Sequence, residues 1–147
     1  MSDIPAPGSA GGNLEAKVEV TKTSHVANVQ TKVRAITRIL GFPELYIFKA
    51  AISASELASN LVYHTSAGGT ISIRGIRKNG CIGIEIISID SGPGIKDVNM
   101  ALQDGYSTGP GLGSGLPAVE RLMDELDILV TDDFKTCIRS RLWYFCE

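Results

Sequence analysis

Glu56 and Asn60 stand one helical turn apart in ASELASN, Asp90 closes the run IEIISID, and Gly109, Gly111, Gly113 and Gly115 crowd the stretch STGPGLGSGLP. A carboxylate and an amide at that spacing present oxygen to a hard divalent cation or position a nucleophile. The same pair also suits a solvated helix face. Asp90 shares the parity of Ile82, Ile84 and Ile86, so its carboxylate is directed at the buried side of a strand. A carboxylate there needs a hydrogen-bonding partner, and an exocyclic amine of a ligand would serve. A type II turn with Pro93 and Gly94 accounts for the glycine and proline of SGPGI, but not for the aspartate that precedes them. Bare backbone N–H groups running into a helix N-terminus attract phosphate. The composition alone equally fits a flexible linker. No Gly-Lys-Ser/Thr ends the loop and no βαβ unit carries it, which excludes a Walker A loop and a dinucleotide fingerprint.

The elements that must hold these residues follow from periodicity. LEAKVEV alternates and predicts a strand over residues 14–20. Ser24 offers an N-cap to a helix whose Val26, Val29, Val33, Ile36, Ile39 and Leu40 recur at helical spacing up to Gly41. A second helix follows Pro43 and runs to about residue 64. Ile47, Ala50, Ala51, Ala54, Leu57, Ala58 and Leu61 form its apolar stripe, with Lys49, Ser53, Glu56 and Asn60 on the side away from the sheet. Two strands, 70–77 and 81–90, flank the hairpin signal KNG. A short helix over 96–104 and another over 115–126 come next, then two strands around Asp132–Asp133. This order predicts an α+β, two-layer sandwich: a mostly antiparallel mixed sheet with helices on one face.

The chain has 147 residues, 44% hydrophobic and 20% charged, with net charge −2, which predicts one domain over 14–147. The balance gives no electrostatic footprint for nucleic acid or an anionic membrane. No apolar run is long enough for a membrane span, and MSDIPAPGSAGGN lacks the charge and apolar core of a signal peptide, so residues 1–13 are expected to be a disordered tail. Cys81, Cys137 and Cys146 have no metal-ligand spacing, and their odd number predicts reduced thiols in a cytoplasmic protein.

Taken jointly, Glu56/Asn60, Asp90-x-Gly92-x-Gly94 and Gly111-x-Gly113-x-Gly115 resemble the N, G1 and G2 boxes of the GHKL (Bergerat-fold) ATPases, from about residue 14 to the end. ASELASNLVYH and QDGYSTGPGLGSGLPAVERLMDEL are similar to the anti-sigma-factor and stressosome serine/threonine kinases within that superfamily. The resemblance implies ATP and Mg²⁺ as ligands. Asn60 would coordinate Mg²⁺, Asp90 would accept the adenine amine, and Gly92 and Gly94 would allow backbone to approach base and sugar. Gly109, Gly111, Gly113 and Gly115 would form the phosphate lid, and Glu56 would be the general base. Thr136 falls where the family has a threonine supporting the adenine-binding aspartate through water, although Lys135 replaces a common glycine before it. His64 matches a histidine of the subgroup, for which a structural helix-end role is expected. Partners implied are a STAS-domain antagonist as substrate and a PP2C-type phosphatase or sigma factor. A nucleotide-dependent sequestering module and a histidine-kinase-type catalytic domain remain as alternatives. The lid has no Lys or Arg between Gly105 and Pro117, which predicts slow transfer, and Arg121 beyond it is assigned no role.

Overall fold

The computed structural model describes residues 14–65, 67–91, 115–131 and 135–145. Gly92, Gly94, Gly109, Gly111, Gly113, the tail over 1–13 and the helix expected over 96–104 lie outside the described residues.

Strand β1 (Glu15–Val20) leads into α1 (Ser24–Ile39) and α2 (Glu44–Tyr63); β2 (Gly69–Lys78) and β3 (Cys81–Asp90) follow, then α3 (Gly115–Leu122), β4 (Glu125–Val130) and β5 (Thr136–Phe145). The strands form one sheet in the order β1-β2-β3-β5-β4, and every pairing in it is antiparallel. The α+β sandwich is as expected, and no parallel pair occurs among the described residues.

Local signals explain the boundaries. Helix α1 ends in a Schellman arrangement: Gly41 takes φ +85°, its N–H donates to Arg38 O, and the Phe42 N–H donates to Thr37 O, both at 3.0 Å. Asn79 and Gly80, at φ 51° and 81°, make the tight turn joining β2 to β3. Helix α3 stops four residues before its expected end. The Asp124 N–H donates to Arg141 O at 2.9 Å, and Asp124 Oδ2 accepts from the Trp143 N–H at 2.8 Å. Pairing with β5 therefore captures the chain here, and Leu126 packs on the core from a strand rather than from a helix.

The core lies between the inner sheet face and the helices. Ile71, Ile73, Ile84, Ile86, Ile138 and Leu142 meet Val29, Val33 and Ile36 of α1 and the Ala-rich stripe of α2. Alanines 50, 51, 54 and 58 are all fully enclosed, so α2 approaches its neighbours closely and is the central helix.

The outer sheet face has a different character. In register across all five strands stand Glu15, Arg74, Glu85, Arg141 and Glu125, an alternation of charge that favours each cross-strand pair. Glu85, only 2% exposed, accepts from Arg74 Nε at 2.8 Å and from Arg141 Nε at 2.9 Å. Burial pushes the Glu85 carboxyl up, but the hydrogen bonds and charges of Arg74 and Arg141 together hold it below the usual glutamate range. The expectation of three reduced thiols fails on this framework. Cys137 is a free thiol on β5, whereas Cys81, opening β3, is disulfide-bonded. Sequence spacing carries no information about which cysteines a strand ladder brings together.

Candidate nucleotide site

The site is assembled where the C-terminal half of α2 meets the end of β3. Helix α2 places Glu56 and Asn60 on one face, one turn apart, with relative exposures of 5% and 8%. Neither lies on a solvated face. Helix α3 packs against α2, and the main chain of Gly115 at its start acts to hold the Glu56 carboxyl down.

Burial pushes the Glu56 carboxyl above the usual glutamate range, and the Gly115 main chain opposes that only in part. A carboxyl whose folded-state pKa is raised binds its proton more tightly when folded. Its cost to stability is therefore fully present above the folded-state pKa and disappears as pH falls through the raised pKa to the unfolded one. Glu56→Gln is expected to gain about 1 kcal/mol at pH 7 and to match the parent near pH 4, as read from thermal melts at the two pH values.

Asp90 ends β3 pointing inward, 2% exposed. Its Oδ2 accepts from the main-chain N–H of Thr136 at the start of β5. Its Oδ1 is buried and has no hydrogen-bond partner among the described residues. An acceptor left in this state costs on the order of 1–3 kcal/mol, so it is an uncommon feature that a donor from a ligand would relieve. An adenine amine fits that requirement. Thr136 is thus beside Asp90 as expected, and its contact to the aspartate is a direct one through the backbone.

A short connection fixes Asp90 relative to Asn60. The His64 N–H donates to Asn60 O at 2.9 Å, and Thr65 Oγ1 donates to Leu61 O at 2.5 Å. The Gly68 N–H donates to Thr65 Oγ1 at 3.1 Å, and Gly68 O accepts from the Ser91 N–H at 2.8 Å. The end of α2 is therefore stitched to the residue following Asp90. Gly69 faces Asp90 across the ladder, where a Cβ would lie 2.1 Å from Ile89 O and 2.7 Å from Asp90 Cα. Only glycine admits this approach. Burial pushes His64 below its ordinary range, so it is neutral at physiological pH, consistent with a helix-end role.

Three contributors escaped the sequence reading. Gly68 and Gly69 were marked only by their doublet at the start of β2, and the influence of Gly115 on Glu56 joins positions with no shared periodicity. Arg121, on the last turn of α3, is exposed.

These features define an ATP-binding domain of the GHKL class. A profile of the histidine kinase-like ATPase domain matches residues 19–142, and the chain belongs to that family. Within it the chain is an enzyme of the serine/threonine-protein kinase type: it is 41% identical over 110 residues to the serine/threonine-protein kinase RsbT of Bacillus subtilis strain 168, a match covering 75% of this chain and 82% of the relative. The mycobacterial sensor histidine kinase MprB aligns structurally at 19% identity with a TM-score of 0.49, over 66% of this chain and 71% of that one.

Proposed function

We propose that this chain transfers the γ-phosphoryl group of ATP to a serine or threonine hydroxyl of a STAS-domain antagonist in a cytoplasmic partner-switching pathway. The observation that carries the nucleotide part is the buried Oδ1 of Asp90, beside the Thr136 N–H and without a hydrogen-bond partner among the described residues. The likeness to the serine/threonine-protein kinase RsbT supports the hydroxyl acceptor. Residues 14–147 would act as one catalytic domain. In this reading Asp90 accepts the adenine amine, Gly92 and Gly94 line the base and sugar, and Gly109, Gly111, Gly113 and Gly115 cover the phosphates. No group of three or more His, Cys, Asp or Glu suited to a metal occurs among the described residues. In the same reading Asn60 would hold Mg²⁺ together with phosphate oxygens, a mode that suits this ion, whose charge would offset that of the phosphates.

Glu56 takes the proton of the acceptor hydroxyl as its oxygen bonds to the γ-phosphorus. The bond from that phosphorus to the bridging oxygen breaks, and ADP leaves with the electron pair. Its raised pKa makes Glu56 a better base than an ordinary glutamate. Contact with a PP2C-type phosphatase or a sigma factor would then report the state of the switch. No helix among the described residues is long and apolar enough to cross a membrane.

Incubation with γ-labelled ATP, Mg²⁺ and a STAS-domain protein tests the reading. Acid-stable label on a serine or threonine of that protein is expected. Nucleotide binding without transfer would make the chain a sequestering module, and acid-labile label would make it a histidine kinase.

A further inference from the structure

We infer that the open edge of β1 is a self-pairing surface, to which a second copy of this chain adds its own β1 antiparallel about Val18. This is independent of the kinase reading above. Strand β1 stands at the end of the sheet, and among the described residues it pairs with β2 alone. Its other side presents main-chain N–H and C=O groups to an incoming strand, a hazard that edge strands usually blunt with a proline, a bulge or a charge turned inward. Glu15–Val20 has none of these. The segment contains no proline, its register with β2 runs without a shift, and Ala16, Val18 and Val20 all pack on the core side.

The charges on the outer side of β1 select the occupant. Glu15 stands opposite Arg74 of β2, whereas Lys17 and Glu19 stand opposite Ser72 and Thr70, so neither of these exposed side chains meets an opposite charge across that ladder. When two β1 strands pair antiparallel about Val18, Lys17 of each copy meets Glu19 of the other, and Ala16 meets Val20 on the core side. Both are favourable cross-strand pairs. Centring the pairing on Lys17 or on Glu19 instead sets like charges against each other. The other edge strand, β4, is not self-complementary: Glu125 and Asp127 share its outer side, so two copies would oppose acid to acid. Space is also present beside β1, where a groove of about 560 Å³ is lined by Lys17, Val18 and Glu19 with Asn28 and Thr31 of α1. A two-fold axis through Val18 then runs one sheet through both copies, with the helices of both on the same face, and closes the assembly as a dimer.

Sedimentation equilibrium of the full chain should show a reversible dimer. Lys17→Glu or Glu19→Lys alone places like charges together at two symmetry-related positions and should weaken it by about tenfold or more. Lys17→Glu combined with Glu19→Lys restores opposite charges in this register and should bring the dissociation constant back to within about threefold of the parent. A chain that stays monomeric at about 1 mM, a dimer indifferent to the single reversals, or a double variant as weak as the singles would each overturn the inference. A second measurement needs no variant: exchange protection of the β1 amides that point away from β2 should rise with protein concentration, and protection that does not change with concentration overturns it as well.

Discussion

Asn60→Ala should abolish Mg-ATP binding and phosphotransfer together, whereas Glu56→Ala should keep nucleotide binding and lose transfer. The two side chains share a helix face and nearly the same burial, 8% and 5% exposed, so burial alone predicts similar consequences for both. Their chemistry separates them. An amide oxygen that helps hold Mg²⁺ on the phosphates acts in the ground state, and its loss should weaken Mg-ATP by about a hundredfold or more, roughly 3 kcal/mol. A general base acts only as the proton leaves the acceptor, so its removal should cost about 10²–10⁴ in rate with binding spared. Calorimetric titration with Mg-ATP and single-turnover transfer measure the two quantities independently. A Glu56→Ala variant that still phosphorylates the acceptor at the parental rate would end the general-base assignment. Equal loss of binding in both variants would instead show that the face acts only as packing against α3.

Arg141→Met should be the most damaging single change on the outer sheet face. It removes the Nε donor at 2.9 Å and the Nη2 contact at 2.8 Å to Glu85. Glu85 would remain almost completely enclosed, with only Arg74, itself 41% exposed in its side chain, to balance it. Breaking one partner of a buried ion pair costs about 3 kcal/mol or more, a large share of the roughly 5–15 kcal/mol that holds a domain of this kind together. Joint replacement, Glu85→Met with Arg141→Met, should restore most of the loss, because no buried charge is then unpaired. Urea unfolding with an unchanged denaturant slope is the measurement. The sign with pH is also fixed. A carboxyl held below its unfolded pKa contributes stability above that unfolded value and loses it as pH falls through the folded one. The Arg141→Met variant, with less of this contribution to lose, should therefore depend less on pH than the parent across that window.

The sequence made the elements legible wherever one periodicity decided them. The stripe of α2 from Ile47 to Leu61 and the inward parity of Asp90 both appear as expected, because each depends only on the geometry of its own element. Features set by a second element were not legible. Glu56 and Asn60 sit on the side of α2 away from its apolar stripe, yet both are buried, which α2 alone does not dictate. Leu126 continues the helical spacing of Leu116, Val119 and Met123, yet pairing with β5 wins and places it on a strand. The donor to Asp90 comes from Thr136, 46 residues away, through a main-chain group that every residue but proline carries. The residues of the candidate site could thus be picked out by type and order, while their burial and hydrogen bonds needed the packing of separate segments.

The connection between α2 and β2 sets a limit on how this chain can vary. Surface loops between a helix and a strand normally accept extra residues at little cost. Here Thr65 and Gly68 bind α2 at one end and Ser91 at the other, so the loop acts as a spacer of fixed length between Asn60 and Asp90. An added residue would not simply bulge into solvent; it would move Asp90 relative to Asn60. Length variation among homologous chains should accordingly fall at the β2–β3 turn around Asn79, which lies at the far end of the sheet, and not between His64 and Gly69.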